Sequence, residues 1–282
     1  MNGINSVDNL KSIGPLKSFI IGNKIIFTNF STFLGICKSP LILTIIATCF
    51  LLMIGHCEFC LFIATLLYLF ATWQIAIAQI ASSYFIKDAL ENKEIKTAKE
   101  YKSYVTQHPK SLFKLLFCVF GYMLLAGICL AAIINVILST LNVMLSILFI
   151  TMGTAYNVAI SIISEIVTLI AVIIISISIS PVMLTWAYNK KEKETLIIKN
   201  AINLGFNNVG GIFIFNLFAG TFAIIINFIA IFILSLAFVF MTREPKTMVL
   251  FPQIIGMITS VFVPIYFSAV FTRYYFSLVN KK

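Results

Sequence analysis

Long uncharged apolar stretches alternate with short lysine-rich segments along this chain. Between Lys114 and Lys190 the only formal charge is Glu165, and between Lys199 and Arg243 there is none. Apolar runs longer than about 18 residues are read as membrane spans, because roughly 20 helical residues at 1.5 Å rise cross the hydrocarbon. Backbone N–H and C=O groups cannot stay unpaired in lipid, so a span is a helix or part of a closed barrel. Barrel strands alternate polar and apolar positions, whereas these runs are apolar on all sides, which selects helices. IIISISISP at 173–181 has a strand-like period of two, but it sits inside an uncharged run too long for one strand.

The pattern predicts an all-α polytopic integral membrane protein with six transmembrane helices arranged as three hairpins. Its spans fall near 40–56, 60–86, 112–138, 161–187, 210–236 and 250–276. The chain then divides, as one membrane domain over 1–282, into a cytoplasmic amphipathic N-terminus (1–39), hairpin 1 (40–86) and a cytoplasmic basic loop (87–111). Hairpin 2 (112–187), a cytoplasmic amphipathic loop (188–209) and hairpin 3 (210–276) follow. The run 115–189 has room for two spans and about 25 further residues. Lysine-rich loops flank it at both ends, so an even number of crossings is required. The segment 139–160 is therefore expected to be an outer interfacial or re-entrant stretch.

Each predicted hairpin follows an amphipathic segment. In LKSFIIGNKIIFTNFSTFLG, Lys17, Lys24, Thr28 and Ser31 share one face and Ile20, Phe27, Phe30 and Leu34 another. The second, AKEYKSYVTQHPKSLFKLL, is broken by Pro109, and the third, ETLIIKNAINLGFNNVGGIF, relaxes at Gly210 and Gly211. Such helices tend to lie flat at the headgroup level. The unit of surface helix, outward span, turn and inward span then recurs three times, in pattern more than in identity.

Composition agrees: 60% of the 282 residues are hydrophobic and only 11% charged, against about a quarter charged in soluble domains. All cations except Arg243 and Lys246 fall on the side of the lysine-rich loops, which places both termini in the cytoplasm. Lysine, isoleucine and asparagine usage suggests an AT-rich, bacterial source and hence an inner membrane. Topology and anionic lipids at the cytoplasmic face account for the basic loops, so no nucleic-acid partner is expected.

The segments KSLFKLLFCVFGYMLL, SPVMLTWAYNKK and VPIYFSAVFTRYYFSLVNKK resemble a group of bacterial six-span inner-membrane proteins. The group includes the YciC-like proteins and the membrane domain beside some glycerophosphodiester phosphodiesterases. The resemblance covers most of the chain and implies a six-helix fold, not an activity.

Few residues suggest chemistry. GHCEFC at 55–60 reads as the outer turn of the first hairpin, where Cys57 and Cys60 could close a disulfide. A structural zinc site wants four ligands, and only His56 and Glu58 stand near the pair. Glu165 is the only acid inside a predicted span. It lies near the outer headgroups, as an interfacial anchor or as a binding group. Stripes of small and polar residues run along several spans. They include Thr65, Thr72, Gln79 and Ser83 on the second, Gly127, Ala131 and Asn135 on the third, and Asn216, Gly220, Ala223 and Asn227 on the fifth. Helix packing is one reading of these stripes. The other is an outward-open ligand cavity lined by Glu165, Asn135 and Asn227. No catalytic constellation, metal set or cofactor motif is expected. The sequence thus points to a non-enzymatic membrane protein of homeostasis or of small or lipidic solute transport. A scaffold with a membrane-protein partner is the alternative, and a membrane enzyme the least favoured class.

Overall fold

The computed structural model describes residues 13–52, 58–148, 177, 180–189, 192–242 and 247–279. These form nine α-helices: α1 (Pro15–Thr28), α2 (Phe30–Leu52), α3 (Glu58–Leu90), α4 (Ala98–Thr106), α5 (Pro109–Leu148), α6 (Val182–Tyr188), α7 (Glu194–Asn207), α8 (Val209–Thr242) and α9 (Thr247–Val279). Among the described residues, five stretches are long and apolar enough to cross a membrane: Phe30–Leu51, Phe59–Leu90, Pro109–Cys129, Val209–Ile226 and Ile258–Val279. The chain is all-α and has the make-up of a multi-pass membrane protein.

Two compact units are formed, one from 1–109 with 210–282 and the other from 110–209. In the first, α9 packs against α1, α2 and α3, and α4 lies on α2 and α3. The span of α9 is 61% buried, with Val261, Ile265, Ala269, Val270 and Phe271 in the core. Its neighbour α3 offers small residues to the interior: Ala64, Ala71 and Ala78, seven apart, are buried. Small side chains let helix backbones approach closely. In the second unit α6 packs on α7.

A common local plan appears three times. A short helix with its fourth and eighth residues buried leads, after a break of one or two residues, into a long apolar helix. The buried pairs are Ser18 and Gly22 in α1, Tyr101 and Val105 in α4, and Ile197 and Ala201 in α7. The following long helix buries its fourth and seventh residues each time: Phe33 and Ile36, Leu112 and Leu115, Ile212 and Phe215. Four-residue and three-residue steps keep side chains on one helix face, so the same face turns inward in each copy.

Asparagine makes two of these breaks. Asn29 (φ −119°, ψ 40°) and Asn208 (φ −129°, ψ 26°) leave the helical region. Each returns its side-chain amide to a carbonyl one turn back, Ile25 at 3.1 Å and Leu204 at 3.0 Å. Carbonyls freed at a helix end are thereby satisfied. The other break, at Gln107 and His108, precedes Pro109, which at a first helical position loses no useful N–H.

Three sequence expectations need correction. The first long helix begins at Phe30 rather than near 40, and it carries Pro40 inside it. The predicted surface segment is therefore split at Asn29, its second half joining the span. The segment 139–160 is not separate at its start, because α5 continues to Leu148. Ser139 and Thr140 both donate to the Val136 carbonyl, at 3.0 and 2.8 Å, so their hydroxyls are satisfied without leaving the helix. Residues 149–160 lie outside the described residues. The third surface helix ends at Asn208, not at Gly210 and Gly211, which fall within the first turn of α8.

Candidate functional site

A hydroxyl or amide inside an apolar bundle needs a partner, and most here find one within the chain. Thr44, Thr48, Thr65 and Thr72 donate to carbonyls four residues earlier, at 2.8–2.9 Å. Thr65 and Thr72 face outward; once back-bonded, their hydroxyls need no packing partner. The expected seam Thr65–Thr72–Gln79–Ser83 is thus displaced by one residue in its N-terminal half, to Ala64 and Ala71.

Other polar groups tie helices together. Ser39 Oγ donates to Gln74 Oε1 at 3.2 Å, and the Thr48 and Tyr68 hydroxyls meet at 3.1 Å. Ser268 donates to the Gln79 carbonyl at 3.1 Å, linking α9 to α3. The longest-range pair joins α9 to α1: Tyr266 Oη donates to Asn23 Oδ1 at 2.7 Å, while Asn23 Nδ2 donates to the Phe19 carbonyl at 3.0 Å. Tyr266 also stacks on Phe222 of α8 at 5.9 Å.

Close packing surrounds that pair. A Cβ at Gly22 would meet Val270 Cγ1 at 3.0 Å and its Cα at 3.1 Å, so α1 and α9 touch backbone to backbone. Phe215 of α8 stacks on Tyr274 and meets Phe271 edge-on, each at 5.3 Å, and meets Phe19 edge-on at 6.2 Å. Gly211 makes room for the Tyr274 hydroxyl, which a Cβ there would strike. Arg273 is fully buried in the same helix. The Ser18 hydroxyl and Asn216 Oδ1 are buried without a hydrogen-bond partner among the described residues.

The turn between α3 and α4 is the richest polar cluster. Asn92, at φ 52°, reverses the chain after α3, a conformation asparagine tolerates better than most residues. Thr97 caps α4 by accepting the Glu100 N–H at 3.4 Å, and its hydroxyl donates to Glu100 Oε1 at 2.8 Å. Tyr101 sits at the centre, donating to Asp88 Oδ2 at 3.1 Å and accepting the Lys96 N–H at 3.2 Å. Its ring meets Phe85 edge-on. Burial pushes its phenol up to about 12. The hydrogen bond to Tyr104, 2.8 Å long, holds the Lys96 ammonium above the ordinary lysine value. Burial lowers Lys102, whose Nζ lies 3.4 Å from the Gly35 carbonyl.

In the second unit Trp186 is fully buried and its indole N–H donates to Ser111 Oγ at 3.1 Å. Ser111 in turn donates to Glu194 Oε1 at 3.1 Å, joining α6, α5 and the start of α7. A backbone hydrogen bond at the helix start, then Ser111 and the Lys114 charge, hold the Glu194 carboxyl below the ordinary range.

The residues singled out from the sequence fall largely outside the described residues. Cys57 and Glu165 lie outside the described residues, as does most of GHCEFC, while Cys60 falls in the first turn of α3. Asn135 belongs to α5 in one unit and Asn227 to α8 in the other; their side chains also lie outside the described set. Among the described residues, no three His, Cys, Asp or Glu side chains are grouped to hold a metal ion. The polar positions that do pair are Asn23 with Tyr266 and, separately, Asp88 with Tyr101. Asn23, an amide in the amphipathic segment IIGNKII, was the sequence signal that could have pointed to the first pair. Comparison with family models, curated proteins and solved structures finds no match for this chain.

Proposed function

We propose that this chain is a non-enzymatic multi-pass protein of a bacterial inner membrane, with both termini cytoplasmic, serving membrane homeostasis or the passage of a small or lipidic solute. The observation that carries the reading is how the polar side chains of the apolar helices are engaged. Asn23, Tyr266, Ser268, Ser39 and Thr48 link helices, and Thr44, Thr65 and Thr72 bond their own backbone. Such groups set helix register and rigidity, a scaffold's work rather than a reaction's. The resemblance to six-span inner-membrane proteins supports the same class.

Cysteine labelling in whole cells tests the topology. The thiols at Cys57 and Cys60 should react with an impermeant reagent, after reduction if they are bridged, and a cysteine placed at Lys96 should not. Labelling at position 96 from outside would reverse the orientation. Native mass spectrometry of the purified protein then reads the bound solute. Joint replacement of Glu165, Asn135 and Asn227 by alanine should lower its occupancy, and an unchanged profile would remove the cavity.

A second reading, a scaffold subunit, is favoured by Gly127, Gly220 and Gly256, at which an added Cβ would meet nothing within 4 Å. Small residues left open among the described residues suit contact with another helix. Stoichiometric co-purification of one membrane partner would select this reading.

A further inference from the structure

α1 has one occupied face and one open one. Its inner face, Ser18, Gly22 and Ile26, is buried, and Gly22 lies against Val270 of α9. Leu16, Ile20 and Phe27 point away, 47%, 57% and 58% exposed. At 3.6 residues per turn these three fall within about 40° of one another. Lys17 and Lys24, both exposed, flank them about 60–80° to one side. The apolar line continues past Asn29 through the exposed Phe30 and Leu34. No aspartate or glutamate occurs between Asp8 and Glu58.

We propose that the outer face of α1 docks into the anionic headgroup layer of the bilayer that α2 enters, its apolar line reaching the acyl boundary and Lys17 and Lys24 pairing with lipid phosphates. The inference rests on the membrane-spanning reading of α2 above. One residue, Asn29, separates α1 from the span Phe30–Leu51, and one residue bridges no more than about 4 Å. The helix is therefore held where the span meets the headgroups, a place a soluble partner would have to share with lipid. Lysine stems can lie along apolar surface while the ammonium stays at the polar layer, which suits the offset of the lysines from the apolar line. An exposed apolar stripe beside unopposed cations is the composition of an interfacial helix.

The test uses the full-length protein in nanodiscs of phosphatidylcholine, alone or with one third phosphatidylglycerol. A spin label is attached through a genetically encoded ketone residue at Ile20 or, as a mid-span control, at Phe117 of α5. Accessibility to oxygen against a water-soluble nickel complex reads the surroundings. Oxygen-favoured relaxation at both sites supports the proposal. A nickel-favoured Ile20 beside an oxygen-favoured Phe117 overturns it and leaves the spanning reading intact. If both are nickel-favoured, the spanning reading fails and takes the proposal with it. Dipolar broadening at Ile20 would mean that a second copy covers the face, which also overturns it. The charge component is read as phosphatidylglycerol retained in native mass spectra. Lys17→Gln with Lys24→Gln should lower it about 5-fold per lysine, and unchanged retention overturns headgroup recognition.

Discussion

α1 and α4 share one pattern of buried positions but present different outer faces. Both are short helices in the first unit, both bury their fourth and eighth residues, and both lead into a long apolar helix. Their outer faces differ. Leu16, Ile20 and Phe27 line the outside of α1, whereas α4 exposes Lys99, Glu100, Ser103 and Thr106. The outer face of α4 is thus polar where that of α1 is apolar. Their anchoring also differs. A close backbone approach at Gly22 and the Asn23–Tyr266 bond hold α1, while Tyr101, Asp88, Lys96 and the Thr97 cap hold α4. α1 is thus held by one close approach and one hydrogen bond, α4 by a network of them.

The comparison is broken most sharply at Tyr101. Tyr101→Ala removes a fully buried aromatic and should cost roughly 3 kcal/mol, read as a fall in thermal unfolding temperature in detergent. The loss should centre on α4, with amide exchange in α1 little changed. Gly22→Leu attacks the other anchor. Overpacking against the Val270 backbone should cost about 1–3 kcal/mol and raise exchange in α1, with α4 still protected. An effect confined to α4 would contradict the packing described for α1 and α9.

Thr97→Ala deletes the cap and should cost about 1 kcal/mol, with fraying at the start of α4. The N-cap of α1 is Gly14, which has no side-chain bond to lose, so Gly14→Ala there should cost less than Thr97→Ala, roughly 0.5 kcal/mol, from alanine's poorer fit to an N-cap. The smallest effect is a titration. Because burial raises the folded Tyr101 phenol to about 12, above its ordinary value near 10, its contribution is complete below pH 10. It is lost as the pH climbs from about 10 to 12. Tyrosinate absorbance in Tyr101→Phe against the parent protein should differ in that window. A difference already complete near pH 10 would mean the phenol is not buried in solution.

Much of the helical order was legible along the chain, because a membrane helix writes itself as an apolar run bounded by charges. Pro109 and the short amphipathic segments were legible for the same reason. The breaks at Asn29 and Asn208 were not, since each depends on an amide folding back onto a carbonyl one turn earlier, and asparagine at many other positions does no such thing. The polar stripe on α3 was misplaced for a related reason. Hydropathy marks threonine as polar, but a back-bonded threonine is satisfied wherever it points.

The sequence by itself determined the class of this protein: long uncharged runs admit only helices in lipid, whatever they pack against. The tertiary structure decided which of the amphipathic helices keeps an apolar side open, and which polar groups meet across helices, as Asn23 meets Tyr266 from 243 positions away. Local periodicity fixes the faces of a helix, but the partner of each face is chosen by contacts that join distant parts of the chain, and no window of neighbouring residues contains them.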